Sequence, residues 1–285
     1  MTPWWEQWRQ AYHRQLCQHV VRVDAHGFPN TADRSNRTSR TIAQHMWQHI
    51  ARQAGCTLEE GFLAAQKVGR RFEQVTYEAL QQAFLALEHL RPGPWRFYLN
   101  HRIEEFVQYA HLTELSRALK DTPQLHAALG DYLIAPDILI ARLPLDDATI
   151  NQQAVLVEPD MPVARWTPLR ATNNQKPLLH ASVSCKWTIR SDRSQNVRTE
   201  GLNLIRNRKG HTPHIVVVTA EPHPGRLASL ALGTGDLDCV YHVALPELQA
   251  AVHALGEGTA QDLLATLVDG QRLRDISDLP FDLAA

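Results

Sequence analysis

Nowhere does this chain keep apolar residues uninterrupted for the roughly 18 positions that a membrane helix needs, so no transmembrane span is expected. Cysteine is scarce. The four residues Cys17, Cys56, Cys185 and Cys239 lie far apart with no C-x-x-C pair, which predicts free thiols in a reducing cytoplasm. No G-x-G-x-x-G or G-x-x-x-x-G-K-[S/T] loop is present, which argues against a metabolic α/β enzyme built on a nucleotide-phosphate cradle. Net charge is also lacking. A balance of 29 basic and 30 acidic residues leaves −1, which excludes a generally basic nucleic-acid coat but not a local one. Fifteen histidines are many, yet "HTPH" at 211–214 has no further clustered ligands, so no zinc site is expected. The first residues, "MTPWWEQWRQAYHRQL", have no apolar h-region and read as an amphipathic helix, not a signal peptide. Trp4, Trp5 and Trp8 on it form a stripe suited to core or subunit packing.

What is present is ample core material, 44% hydrophobic in 285 residues. Helical periodicity covers 3–20 and 41–54, then a stretch from near Leu58 with an apolar stripe at Phe72, Val75, Ala79, Ala83, Leu87 and Leu90. "RPGPW" stops that helix, and 103–119 reads as another. "GFPNTADRSNRTSR" at 27–40 is a polar loop. Beyond residue 131 the character changes. "YLIAPDILIAR", "PLLHASVSCKWTI", "PHIVVVTAE" and "LDCVYHVAL" read as strands. "SQNVRTEGLNLIRNRKG" reads as a helix with a Ser N-cap and Gly210 as its stop. The order predicts an α/β fold with a central mixed sheet flanked by helices. One domain spans 1–285, mainly helical over 1–125 and sheet-containing over 126–285.

One strand asks for an explanation. Period two puts Ala181, Val183, Cys185, Trp187 and Ile189 on one face of a strand over 181–190, and Ser182, Ser184, Lys186, Thr188 and Arg190 on the other. Lys186 and Arg190 then lie roughly 13 Å apart on one side. A lysine in the middle of a central strand is costly unless something negative meets it. Two acids are candidates. Asp137 follows the proline in "APDILI", and Glu200 falls on the Val197–Leu204 stripe of its helix, which turns it inward. Two carboxylates with a lysine suit Mg²⁺-dependent phosphodiester hydrolysis: hard oxygens hold the ion, and the cations offset charge that develops on phosphate. From Lys186 to Gly210, seven basic and two acidic residues add a local charge of +5.

"APDILI", "SVSCKWTIRSDR" and the later Glu together resemble the PD-(D/E)XK nucleases, and within them the CCGG-recognising type II restriction endonucleases, the NgoMIV-like enzymes in particular. The resemblance extends over "FE" at 72–73, "QYAHLTEL", "GLNLIRNRKG", "PHIVVVTAEP", "LALGTGDLDCVYH" and "DISDLPFDL", and is most specific from Leu178 to Gly210. It implies the restriction-endonuclease fold across 1–285. The usual acid two residues before the lysine is missing, and Ser184 stands there. The resemblance implies that Glu200 replaces that acid, that Asp137 and the Cys185 carbonyl complete the Mg²⁺ ligands, and that Glu73 is an additional active-site acid.

The same resemblance assigns base recognition. Arg190 and Arg193 would read the guanines of CCGG, and Asp192 the neighbouring cytosines, through donor and acceptor patterns in the major groove. Asp33 and Arg226 would read an outer G·C pair, giving GCCGGC, and Gln66 would make a minor-groove contact. It further implies cleavage of double-stranded DNA to 5′-phosphates with 5′ overhangs, a homotetramer built as a dimer of dimers, and a cognate DNA methyltransferase in the same restriction–modification system. Two alternatives share part of this pattern. A repair or recombination nuclease of low specificity does not need the Arg-Asp-Arg fork, and a catalytically silent DNA-binding protein does not need Asp137, Lys186 and Glu200 together.

Overall fold

The computed structural model describes residues 2–122, 124, 134–233 and 235–285, with the side chains at 120, 121 and 191–193 outside the description. Six strands form one mixed sheet in the order β1 to β6: β1 Trp95–Leu99, β2 Ile138–Arg142, β3 Leu178–Lys186, β4 His214–Thr219, β5 Cys239–His242 and β6 Leu273–Asp275. β1 and β2 pair antiparallel with Trp95 opposite Arg142. The β4–β5 and β5–β6 pairs are parallel. Among the described residues no helix is long and apolar enough to cross a membrane.

The chain divides into two compact units. The first comprises Met1–Leu90, Val183–Thr199 and Ile215–Ala285. Its helices α1 (Trp4–His19), α2 (Arg37–Ala54) and α3 (Ala65–Ala86) form because apolar residues recur every three or four positions. Trp8, Tyr12 and Leu16 are buried on α1, and Ile42, Met46 and Ile50 on α2. α2 opens on Asn36, whose side chain accepts the Ser39 N–H, and stops at Gly55, whose φ of 62° suits a left-handed cap. Arg9 ties α1 to the far side of the core. Its guanidinium meets Glu247 at 2.6 and 2.9 Å and Asp275 twice at 2.9 Å. Glu247 lies on α8 (Leu245–Leu255), which packs against α2.

The second unit comprises Arg91–Ser182 and Glu200–His214. Here the structure departs from the periodicity. The helix expected over 103–119 is broken into short 3-10 turns at Ile103–Glu105 and Val107–Tyr109, and α4 begins only at Leu112. The break lets buried Gln108 act as a surrogate backbone. It donates to the Leu179 carbonyl at 2.7 Å and accepts the Leu179 N–H at 2.9 Å. Tyr109 Oη donates to the Leu204 carbonyl at 2.9 Å. β1 and β6 were not expected, being short and, in β1, only partly buried. α3 starts at Ala65, not near Leu58, and Leu90 of the predicted stripe is exposed. A long loop that follows α5 (Asp147–Ile150) is pinned where Arg170 holds Asp147, at 2.6 Å through both contacts, and the Glu158 carbonyl at 2.7 Å.

Two buried histidines make the first unit acid-sensitive. His13 Nε2 hydrogen-bonds the Val243 carbonyl at 2.8 Å; burial, with the Arg9 cation beside it, pushes its pKa down to about 4. Burial takes His242 down to about 4 as well. In the unfolded chain both titrate near 6.5, so protons bind the unfolded state first as pH falls. Stability should therefore drop between pH 6.5 and about 4, by roughly 2–3 kcal/mol per histidine at the acid end. Melting temperatures measured across this range should show the loss, and His13→Gln should make the slope shallower.

Candidate active site and DNA interface

The site is built where β3 runs out. β3 is buried on both faces along its middle seven residues, so Ser182 and Ser184 lie in the core beside Ala181, Val183 and Cys185. An ammonium inside such a strand would lose its hydration without recompense. Lys186 is therefore the last strand residue, half-buried, and not the middle of a 181–190 strand. The chain beyond is irregular, yet the alternation survives: Trp187 and Ile189 are buried, Thr188 is half-buried and Arg190 is exposed. Trp187 is held between the Trp47 and Phe72 rings, with centroids at 5.5 and 5.1 Å.

Lys186 opens into a cavity of about 720 Å³ in the first unit, shared with Glu73 from α3, Cys185, Thr188, Arg190 and Asp33. Arg22, Arg34 and Arg40 also line it, so basic side chains outnumber acids on its walls. A second cavity of about 750 Å³ is lined by Asp33, Arg190, Ser194 and Arg226. Asp33 and Arg190 border both. The structure thus brings together five residues singled out in the sequence with Lys186: Glu73, Cys185, Arg190, Asp33 and Arg226. Gln66 is exposed on the first turn of α3 and borders neither. Asp192 and Arg193 fall in the first turn of α6 (Ser191–Asn207), and their side chains lie outside the described residues. The fork therefore opens a helix that starts three residues before the predicted Ser194 cap, and the helix ends at Asn207, with Gly210 beyond it at φ 95°.

The polar loop that carries Asp33 is anchored. Asn30 donates to the Val20 carbonyl at 2.9 Å and accepts the Trp187 indole at 3.3 Å. Thr31 accepts the Trp47 indole at 3.1 Å. The Ser35 hydroxyl and N–H, at 2.7 and 3.0 Å, hold the Asp33 carboxyl below the usual range, helped by an ion pair with Arg226. Arg226 rides on α7 (Pro224–Ala231), capped by His223, whose Nδ1 accepts the Gly225 N–H at 3.1 Å.

Asp137 and Glu200 belong to the second unit. Asp137 is half-buried immediately before β2, and its carbonyl accepts the Asn100 N–H at 2.8 Å. Glu200 is half-buried on α6 between buried Val197 and Leu204, as its spacing predicted. Among the described residues, no group of three or more His, Cys, Asp or Glu side chains gathers as a metal cage.

Sequence reasoning passed over Arg198 and Glu221. Arg198 reaches from α6 to the end of α7, donating to the Ser229 and Leu230 carbonyls at 3.0 Å each and pairing with Asp236 at 3.2 Å. A cation is favoured at a helix C-terminus. Gly233 leaves room for it, since a Cβ there would fall 1.6 Å from Arg198 Nη1. Gly233→Ala should therefore expel the guanidinium and cost about 1–3 kcal/mol, as Arg198→Met should. Chemical denaturation should show the two losses to be non-additive in the double variant.

The comparisons with known proteins point the same way. The family model described as NgoMIV restriction enzyme matches residues 12–285. The type II restriction enzyme NgoMIV of Neisseria gonorrhoeae is 47% identical over 291 aligned positions, which cover all of both chains. A mixed sheet flanked by helices is the fold this likeness calls for. The chain belongs to the NgoMIV restriction enzyme family and is a type II restriction endonuclease, a hydrolase that cuts DNA at specific sites.

Proposed function

We propose that the enzyme recognises GCCGGC and, with Mg²⁺, hydrolyses both strands to leave 5′-phosphates and 5′ overhangs. The observation that carries this reading is the cavity joining Lys186 and Glu73 to Arg190 and Asp33, because chemistry and base readout then share one surface. We read 1–285 as a single endonuclease domain. Asp137, Glu200 and the Cys185 carbonyl would hold the ion, which supplies an acidified water and neutralises charge on phosphate. Lys186 stabilises the charge that builds on the phosphoryl oxygens or positions the attacking water. Water adds to phosphorus, the bond to the 3′ oxygen breaks, and that oxygen leaves protonated. Glu73 is the additional acid, and Ser184 fills the position the usual acid has left. Arg190 and Arg193 donate to guanine O6 and N7, and Asp192 accepts from cytosine N4. Arg226 and Asp33 offer the same pair of chemistries to the outer G·C pair, and the Gln66 amide suits the guanine amine of the minor groove.

Digesting a plasmid of known sequence with Mg²⁺ and sequencing the ends tests site and overhang together. Lys186→Ala, Asp137→Ala and Glu200→Ala should each lose cleavage by orders of magnitude while keeping specific binding in Ca²⁺. Wild-type cleavage by Glu200→Ala would remove it from the ligand set. Arg190→Ala should lose about 1–3 kcal/mol of discrimination at its guanine. A uniform loss on all sequences would place it on phosphate.

A palindromic site matches a two-fold dimer, and we propose that two dimers join as a homotetramer, with a cognate methyltransferase guarding the host's sites. The tryptophan-rich helix is used internally: Trp5 donates to the Ser277 carbonyl at 2.9 Å and packs on Phe281 at 4.5 Å, and Trp8 donates to the Ala79 carbonyl at 2.9 Å. A better surface lies in the second unit, where Leu156 and Trp166 are 63% and 95% exposed on the loop pinned by Arg170. Asn151 and Asn173 fix that loop from within, so its apolar side chains are presented in an ordered form. We take a second copy as their partner because the proposed tetramer needs a contact between its dimers, and burying these two side chains would stabilise one. Two-site plasmids should be cut faster than one-site plasmids, since the second engagement is intramolecular. Trp166→Glu should abolish that advantage and sediment as a dimer. A tetramer that survives Trp166→Glu and Leu156→Glu together would place the contact elsewhere.

A further inference from the structure

Behind the base-reading side chains sits an ionisable group that the proposed chemistry does not use. Glu221, just past β4, is fully buried. Its Oε2 accepts the Ile189 N–H at 2.8 Å, and its Oε1 accepts the His223 N–H at 3.1 Å. Ile189 immediately precedes Arg190. His223 caps α7, in whose first turn the Arg226 N–H donates back to the His223 carbonyl at 3.0 Å. Arg226 Nη1 lies 3.9 Å from Glu221 Oε2, while its other terminal nitrogen, Nη2, pairs with Asp33. One carboxylate therefore ties the main chain carrying the inner reader to the main chain carrying the outer one, and lends its charge to the outer arginine.

We propose that Glu221 is a positioning residue for sequence discrimination, setting the Arg226–Asp33 contact with the outer base pair in register with Arg190. The inference rests on the reading of Arg226 and Asp33 given above. The chemistry explains why a glutamate is needed. Both partners are N–H donors, so both oxygens must accept; a glutamine offers only one acceptor and leaves one buried N–H unmet. Burying a carboxylate is costly, and burial pushes its pKa up to about 7, against the Ile189 and His223 N–H groups and Arg226, which lower it, while Asp33 raises it. His242 also faces its backbone. The ionised, fully accepting form thus prevails above about pH 7, and protonation below it converts one oxygen from acceptor to donor.

The test compares cognate GCCGGC duplexes with ACCGGT, altered only in the outer pair, and with a duplex altered in the inner CCGG. Binding is measured in Ca²⁺ and single-turnover cleavage in Mg²⁺, from pH 6 to 8, for the wild type, Glu221→Gln and Arg226→Ala. Glu221→Gln should lose about tenfold of outer-pair discrimination, while cleavage at saturating cognate DNA stays within about twofold. Wild-type outer-pair discrimination should rise through pH 7, and the rise should vanish in Glu221→Gln. A merely structural role would lower the melting temperature and leave both the ratio and its pH profile unchanged. If Arg226→Ala removes outer-pair discrimination and Glu221→Gln keeps it, the inference is overturned and the reading of Arg226 stands. If Arg226→Ala keeps it, both fall. Should Glu221→Gln not fold, a flat wild-type pH profile still overturns the inference.

Discussion

Charge cannot be carried along a strand that is covered on both faces, and this restriction arranges everything around β3. Seven consecutive buried residues leave the middle of the strand without a lysine, an arginine or a carboxylate, and even its hydroxyls are drawn into the core. The first place where an ammonium keeps contact with water is the last residue, and Lys186 stands there. Downstream, the chain has no ladder to hold it, and other devices take over: rings clamp Trp187, and a carboxylate grips the Ile189 N–H. Arg190 is thereby offered to solvent from a rigid base.

Buried carboxylates do similar work elsewhere in the first unit. Glu247 and Asp275 hold Arg9, whose bidentate fork satisfies both acids and fixes α1 on the core. Desolvation raises the pKa of these acids and the guanidinium more than offsets it, so they stay ionised below the usual range. Glu221 differs in one respect. Its closest donors are neutral backbone groups with the guanidinium further off, and desolvation prevails. The same residue type is thus a permanent anion in one place and a titrating one in another, according to the charge of the nearest donor.

Much of this was legible in the sequence. The apolar stripes of α1 and α2 and the inward side of Glu200 follow from periodicity alone. The strand character of "HIVVVT" is equally plain, since β-branched runs fit a pleated, covered surface. Where reading failed, tertiary contacts overrode local preference. The 103–119 stretch has good helical spacing, but Gln108 gains a double hydrogen bond to Leu179 by leaving the helix, which no local window can contain. The end of β3 was misplaced because alternation of buried and exposed residues outlasts the strand itself. Arg198 and Glu221 were missed for a related reason: the carbonyls that Arg198 reaches and the Ile189 N–H that Glu221 accepts lie more than thirty residues away, and an isolated acid after an apolar strand resembles any loop acid. Asp33 and Arg226 lie 193 positions apart and were singled out only by the resemblance, as outer-pair readers; their ion pair with each other was not foreseen.

That pairing has a consequence for how DNA affinity responds to salt. An arginine that meets a duplex with its charge unmatched displaces condensed cations, and the displacement appears as a steep fall of affinity with ionic strength. On the proposed reading Arg226 would reach DNA already paired with Asp33, and the two together resemble a zwitterion more than a cation. Such a pair can present donor and acceptor to base edges with almost no net expulsion of counterions. If this pair reads the outer base pair as proposed, its contact adds little to the salt dependence of binding, and the preference it confers should persist at ionic strengths that strip away less specific contacts.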